Sequence, residues 1–203
     1  LKKLNLDDKQ FTPRSVLGTI SAAKNVLMDA KTFAGKAEDF YQQKVSEAYA
    51  LYQAKLKENN ALDFDDLLFL AVRLLEEKDD VREKYQERFQ YVLVDEYQDT
   101  NHAQYALTKI LAAQWRNICV VGDADQSIYA WRGADIRNII DFTRDYPDAA
   151  SIKLEQNYRS TKTILNAANA VIDNNESRPR KTLWTENPSG NLSLIHISEP
   201  TRL

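Results

Sequence analysis

The sequence predicts an α/β fold in which a helical segment comes first and a short parallel sheet second. Three observations carry this. Residues 1–90 hold apolar positions at helical spacing and no clear strand. Residues 91–94, 118–121 and 150–154 are short apolar runs separated by helical stretches, and strands alternating with helices argue for a parallel sheet covered on both faces. The composition of the 203 residues, 43% hydrophobic and 28% charged, is that of an ordinary globular chain.

The elements follow in order. Thr12 and then Pro13 form a helix start, a capping hydroxyl before proline in the first turn. Val16, Ile20, Ala23 and Leu27 continue it at helical spacing. A second helix is expected over 34–57, with Phe40, Val45, Ala48, Leu51, Tyr52 and Leu56 apolar and the Asn59-Asn60 pair ending it. Asp63 can cap a third helix whose buried stripe is Leu67, Leu68, Ala71, Leu74 and Leu75. A short helix over 81–89 precedes the first strand, 91–94, which ends at acids. Helix 101–113, strand 118–121 ending at Gly122-Asp123, helix 134–144, strand 150–154 and helix 161–174, capped by Ser160 or Thr161, complete the pattern. The composition shift near residue 90 divides a helical subdomain from an α/β piece.

Composition excludes several classes. The net charge of −3 does not advertise a nucleic-acid partner. Residues 1–60 carry 10 basic against 7 acidic side chains and are mildly basic, which solvated helix faces explain. A single cysteine, Cys119, rules out a disulfide framework, and one cysteine with two histidines makes a zinc site improbable. No apolar run approaches ~18 residues and no signal peptide is visible, so neither a membrane partner nor export is expected, and the default location is cytoplasmic. The five glycines, Gly18, Gly35, Gly122, Gly133 and Gly190, are too scattered to form a Gly-rich phosphate cradle.

Both ends are unusual. The chain starts at Leu1, in what reads as mid-domain sequence. Residues 192–203, LSLIHISEPTRL, resemble the translation of a sequencing adapter, so the native frame is expected to stop near Gly190 or Asn191. The other reading is a native strand followed by a tail. On the adapter reading His196 is not a catalytic candidate.

The chemistry-bearing residues follow the strands. Four apolar residues and then Asp95-Glu96 have the pattern of a strand that delivers carboxylates at its C-terminal end, where sheet ligands bind. Asp95 can hold Mg²⁺ mainly through water, and Glu96 can orient or deprotonate an attacking water. Taken alone, two acids capping the next helix explain the pair as well. Gln126 places a neutral amide near a strand end, able to bond a γ-phosphate oxygen or to stabilise a turn. Tyr129 and Trp131 beside Arg132 are either core anchors or stacking faces for single-stranded nucleic acid, with Arg132 on a phosphate or tying the loop to a nucleotide site. Arg159 can neutralise a transferring phosphoryl group or pair with Glu155 or an acid of the loops after the strands, and Tyr158 can stack or simply pack. Phe64 opens a helix as a staple or as a contact residue. His102 has no visible metal or nucleophile partner and reads as a surface or capping residue.

Three long runs then stand in order: DEYQDTN at 95–101, VGDADQSIYAWRGA at 121–134 and LEQNYRS at 154–160. They resemble motifs II, III and IV of the UvrD/PcrA/Rep group of superfamily 1 DNA helicases, with the PcrA type the first choice within it. The likeness covers essentially residues 1–190, including LDFDDLL at 62–68 and WTENP at 184–188. It implies a helical 1B-like insertion over 1–62 and, over 63–191, the second half of a RecA-like 1A P-loop NTPase domain with an incomplete parallel sheet, before the non-native tail 192–203. It implies ATP and Mg²⁺ as cofactors. Asp95, Glu96, Gln126 and Arg159 become catalytic, with Gln126, Tyr158 and Arg159 on the nucleotide and Tyr158 against adenine. Phe64, Tyr129, Trp131 and Arg132 fall on single-stranded DNA. The implied whole is an ATP-dependent 3′→5′ DNA helicase or translocase acting on single strands and duplex junctions in repair and replication, alongside other repair or replication proteins.

The Walker A loop with its lysine, and the second RecA-like domain, have no match in the sequence. The chain alone is therefore expected not to hydrolyse ATP. The alternatives are a related helicase–nuclease subunit, a non-enzymatic DNA- or partner-binding truncation, and an unrelated P-loop ATPase, against which the aromatic-rich second run argues.

Overall fold

The computed structural model describes residues 1–7, 9–175 and 181–190. The 192–203 tail, with His196, lies outside the described residues. The chain divides into two compact units, 1–142 and 143–203.

In the first unit, α1 (Pro13–Asn25) starts as expected: the Thr12 side chain accepts from the Ser15 N–H and Pro13 opens the first turn. The helix expected over 34–57 is two, α2 (Ala30–Gly35) and α3 (Phe40–Glu58). The division has a local cause. Asp29 and Asp39 each accept a backbone N–H three residues on, and each therefore starts a helix. Val16, Ile20 and Ala23 of α1 meet Val45, Ala48 and Tyr49 of α3 over Phe11, and together they form the helical core. Phe11 stacks on Tyr41 with ring centroids 5.3 Å apart.

Helix α4 (Phe64–Glu77) opens on a full capping box between Asp63 and Asp66. Its buried residues are Asp66, Phe69, Val72 and Leu75; of the expected stripe Leu75 is buried, Leu68 and Ala71 are half-buried, and Leu67 and Leu74 are exposed. The helix is rotated because it packs on α1 and on two later helices, α5 (Asp79–Arg88) and α6 (His102–Ala112), with Asp66 turned inward to a buried cation.

That cation is Lys24 in the last turn of α1. Its ammonium lies 2.6 Å from Asp63 and 2.8 Å from Asp66, and neither its side chain nor that of Asp66 is exposed to solvent. The Tyr52 hydroxyl donates to Asp63 at 3.0 Å, and the Gln53 amide donates to Asp66 at 3.1 Å. Burial pushes the Asp63 carboxyl up, but Lys24, the Asp66 N–H and Tyr52 outweigh it and hold the group below the usual carboxylate range. Burial and the hydrogen bond to Asp63 push the Tyr52 phenol up to about 12.

Strands β1 (Val92–Val94) and β2 (Ile118–Val120) pair in parallel, with Val92 opposite Ile118 and Val94 opposite Val120, and α6 is the crossover between them. The sheet is not covered on both faces. Val92 and Val94 are half-buried on one side, while Leu93 is 75% exposed and Cys119 exposed on the other. After β2 the chain runs through a loop into α7 (Arg137–Ile140) and α8 (Phe142–Asp145), two short turns where one helix over 134–144 was expected.

In the second unit α9 (Lys162–Ile172) buries Leu165. Thr161 is its N-cap residue but makes no side-chain cap bond, contrary to the expected cap. Residues 150–154 form no strand. A parallel strand needs a neighbour to bond its backbone, and the isolated parallel bridge nearby, Gln156 with Trp184, falls just after the segment. The structure is thus mostly helical with a small two-stranded parallel sheet.

Removing Lys24 leaves two buried carboxylates without their cation. Lys24→Met is expected to lower the unfolding free energy by about 3–5 kcal/mol, read by urea denaturation followed by circular dichroism. Because the pKa of Asp63 is depressed on folding, its contribution is present above ~pH 4 and is lost as the pH falls below it. This acid-side loss should shrink in the variant.

Candidate functional site

The parallel register fixes the site. With Val94 level with Val120, both strands end together, and bonds continue past them: Val121 N–H donates to Val94 O at 2.8 Å, and Tyr97 N–H to Val121 O at 2.9 Å. The 95–99 turn and the 122–127 loop are held side by side as a result. Asp95 and Glu96 are both exposed at the end of β1. Asp95 Oδ1 accepts the Glu96 N–H at 2.9 Å. Glu96 sits at φ 49°, the left-handed region, which non-glycine residues adopt at a cost, and this turns its carboxylate across the strand end. Tyr97, fully buried and edge-on to Phe142 at 5.8 Å, anchors the turn.

Gln98, 1% exposed, lies beneath both segments. Its Nε2 donates to Glu96 Oε2 at 2.7 Å, and its Oε1 accepts the Asp123 N–H at 2.9 Å. Asp123 in turn accepts from the Asp125 N–H at 2.9 Å and from Gln126 Nε2 at 2.8 Å. Gly122 is required here, since a Cβ would stand 2.6 Å from Gln98 Oε1 and 2.8 Å from Ile139 Cδ1. Gly133 closes the loop at φ 86°. Asn138, buried, then donates to Thr100 O at 2.9 Å and ties the returning chain to the 95–101 turn.

Between Gln126 and Gly133 the loop presents Tyr129 and Trp131, ring centroids 6.2 Å apart, with Trp131 76% exposed. Core anchoring is thereby excluded for Trp131. Both line a polar cleft of about 570 Å³ with Ser21 and Asn25 of α1, Asp65 of α4, and Asp99, Asn101 and Gln104. Phe64, 92% exposed, is not a staple and stands beside Asp65 at the same helix start. The Arg132 side chain lies outside what the structure describes. Just after Gly133, the Arg137 guanidinium forks onto Asp135 and holds that carboxyl below its usual range.

A second cleft of about 350 Å³ holds Asp95, Glu96, Asp99, Thr100, Gln104 and Thr108. Asp99 Oδ1 is buried there with no hydrogen-bond partner among the described residues. All these donors are hard oxygens, which suits Mg²⁺. Among the described residues no three acidic, histidine or cysteine side chains converge on one ion. Asp95, exposed at the strand end in this cleft, could serve a cation that keeps most of its waters.

The structure brings Asp95, Glu96, Gln126, Tyr129 and Trp131 together in the first unit. Tyr158 and Arg159 belong to the second. Tyr158 is 79% exposed, its hydroxyl donating to Gln156 Oε1 at 2.9 Å. The Asn157 side chain accepts from the Arg159 and Ser160 N–H groups and forms the turn. The Arg159 side chain is exposed and makes no ion pair among the described residues, so the alternative pairing with Glu155 does not occur. His102 stacks on Tyr105, and the cap of α6 is Asn101 with Gln104. Sequence reasoning missed Gln98, Thr100 and Asn138. For Gln98 the available signal was a neutral amide amid Asp95, Glu96 and Asp99.

The turn that carries Asp95 and Glu96 at a strand end thus lies against a loop that carries Tyr129 and the exposed Trp131. Residues 1–147 match the UvrD/REP helicase N-terminal domain, and residues 152–202 match the UvrD-like helicase C-terminal domain. The chain belongs to this UvrD/REP helicase family. It is 59% identical over 190 residues to the ATP-dependent DNA helicase PcrA of Bacillus subtilis, covering 94% of this chain and 26% of that protein. With the PcrA of Staphylococcus aureus strain Mu50 it shares 56% over 199 residues, covering 98% of this chain and 27% of that protein. With that of Leuconostoc citreum it shares 52% over 190 residues, covering 94% and 25%. The chain thus spans about a quarter of the length of these relatives. No helix among the described residues is long and apolar enough to cross a membrane.

The glycines give a direct check of the loop packing. Gly122→Ala is expected to cost about 1–3 kcal/mol through overpacking. Gly18→Ala, in α1 with open space around it, should stabilise by roughly 0.5–1 kcal/mol. Thermal melts of the two variants decide both signs.

Proposed function

We propose that the complete protein carrying this chain is an ATP-dependent DNA helicase that moves 3′→5′ along single-stranded DNA and opens duplex junctions during repair and replication. One observation carries the reading: the parallel pair sets the Asp95-Glu96 turn against the loop that bears Gln126, Tyr129 and Trp131. In this reading residues 1–62 are a 1B-like helical insertion and 63–191 part of a RecA-like motor domain with an incomplete sheet, followed by a non-native tail.

ATP is the substrate. Asp95 holds Mg²⁺, mainly through water, and the ion supplies charge neutralisation at the phosphates. Glu96 orients the attacking water and accepts its proton as the water oxygen bonds to the γ-phosphorus. The bond to the β,γ-bridging oxygen breaks, and ADP leaves with the electron pair. Gln126 bonds the γ-phosphate or the water without adding charge. Arg159 neutralises the transferring group, and Tyr158, with its exposed ring, stacks on adenine. Phe64, Tyr129 and Trp131 stack on bases and Arg132 takes a phosphate, none of which requires a particular base sequence.

In the complete protein, Glu96→Gln is expected to reduce DNA-stimulated ATP hydrolysis by on the order of 10²–10⁴-fold, measured with a dT oligonucleotide. Trp131→Ala should weaken strand affinity by roughly 1–3 kcal/mol. Unchanged strand affinity together with unchanged DNA-stimulated hydrolysis in that variant would remove the loop from the DNA path. The 203-residue chain by itself is expected to show no hydrolysis above its Glu96→Gln control, because its scattered glycines form no phosphate cradle.

A further inference from the structure

We propose that Gln98 is the positioning residue that links the carboxylate of Glu96 to the loop carrying Tyr129 and Trp131. The inference rests on the helicase reading and adds to it a route by which nucleotide state reaches the strand-gripping loop. Gln98 is almost wholly buried, and its amide is used at both ends: Nε2 to Glu96 Oε2 at 2.7 Å, Oε1 to the Asp123 N–H at 2.9 Å. The orientation of this amide follows from its partners, because a backbone N–H can only donate and an ionised carboxylate only accepts. Its main-chain oxygen also accepts from Ser127 Oγ at 3.2 Å, on the far side of Gln126. The link then continues through Asp123 to Gln126.

The pattern demands an amide of this length. A carboxylate at 98 would face Glu96 with like charge, and an apolar side chain would leave the Asp123 N–H without its partner. The neighbouring glycine fits the same demand, because a Cβ at Gly122 would displace the amide oxygen. Glu96 is exposed and sits in a left-handed turn, so the bond from Gln98 is what fixes its carboxylate. A movement of Glu96 or Gln126 as the γ-phosphate leaves is passed to the other along this chain, and the loop that ends in Trp131 shifts with it.

Two variants separate the two ends. Gln98→Met breaks both bonds. Gln98→Glu keeps an acceptor for the Asp123 N–H and breaks only the Glu96 end. In the complete protein both should lower kcat for DNA-stimulated hydrolysis by on the order of ten- to a hundredfold, since a small misplacement of a catalytic group has that effect. KM for ATP should stay within about twofold. The change in affinity for a labelled dT oligonucleotide between the nucleotide-free protein and its complex with a non-hydrolysable ATP analogue should fall towards none in Gln98→Met. In the full 203-residue chain, hydrogen exchange at the Asp123 amide should quicken in Gln98→Met and stay slow in Gln98→Glu. Wild-type kcat and wild-type nucleotide-linked affinity in both variants overturn the proposal. So does a rise in KM that runs parallel to falls in strand affinity and melting temperature, which a merely structural residue would give. If the unaltered complete protein shows no DNA-stimulated hydrolysis, the helicase reading fails instead, and exchange at Asp123 still decides whether the link exists.

Discussion

The parallel pairing of β1 with β2 is the constraint on which the site depends. Each strand is only three residues long, so the ladder is short, but its register is specific. A slip of one residue would turn every side chain to the opposite face and carry the 95–99 turn out of reach of the 122–127 loop. Two further backbone bonds, Val121 to Val94 and Tyr97 to Val121, extend the pairing into the turns. The close approach they impose leaves no room for a side chain at Gly122, and the buried amide of Gln98 fills the space between. A glycine, an amide and a strained glutamate thus answer one geometric demand.

The helical part meets the site through the last turn of α1. Lys24 points inward to Asp63 and Asp66, and Asn25, its neighbour, accepts from Asn101 Nδ2 at 2.9 Å. One turn of helix therefore braces the starts of both α4 and α6. The acids at the start of α4 serve twice, as a capping box and as counterions. A buried ion pair is weak ground for stability in itself, because desolvation offsets much of the attraction. Its clearer effect here is on direction: it fixes the start of α4 and so sets Asp65 into the polar cleft that Tyr129 and Trp131 line.

Much of this was legible in the sequence, and the reasons differ by residue. Thr12-Pro13, Asp63 and Asn59-Asn60 gave true helix ends because capping is a local interaction between near neighbours. The strands before Asp95 and Gly122 were legible as short apolar runs bounded by polar turns. The stripe of α4 was only partly legible, with Leu75 buried but Leu67 and Leu74 exposed, because a charged residue, Asp66, faces inward, and periodicity assigns such a residue to solvent. Residues 150–154 were misread because an apolar run does not reveal whether a neighbour exists to pair with it. Gln98 stayed invisible as a functional residue for a similar reason. Its role lies in contacts with Asp123, twenty-five positions away, that only the fold creates.

Exposed apolar side chains occur in two settings, and the difference between them bears on the proposed reading. Leu93 and Cys119 share an open face of a parallel sheet, a surface that is ordinarily covered on both sides. Their surroundings call for further apolar protein, and the chain spans only about a quarter of its relatives' length. Trp131 and Tyr129 are exposed differently. They line a cleft otherwise made of Ser21, Asn25, Asp65, Asp99, Asn101 and Gln104. A protein surface seated there would bury these polar groups without enough partners, at a cost of about 1–3 kcal/mol for each unsatisfied one. A nucleobase has a face that stacks and an edge that hydrogen-bonds, and so suits both halves of the lining at once. The lining around Trp131 therefore supports the proposed reading, in which this side chain meets a strand of nucleic acid, whereas the open sheet face around Leu93 calls for protein.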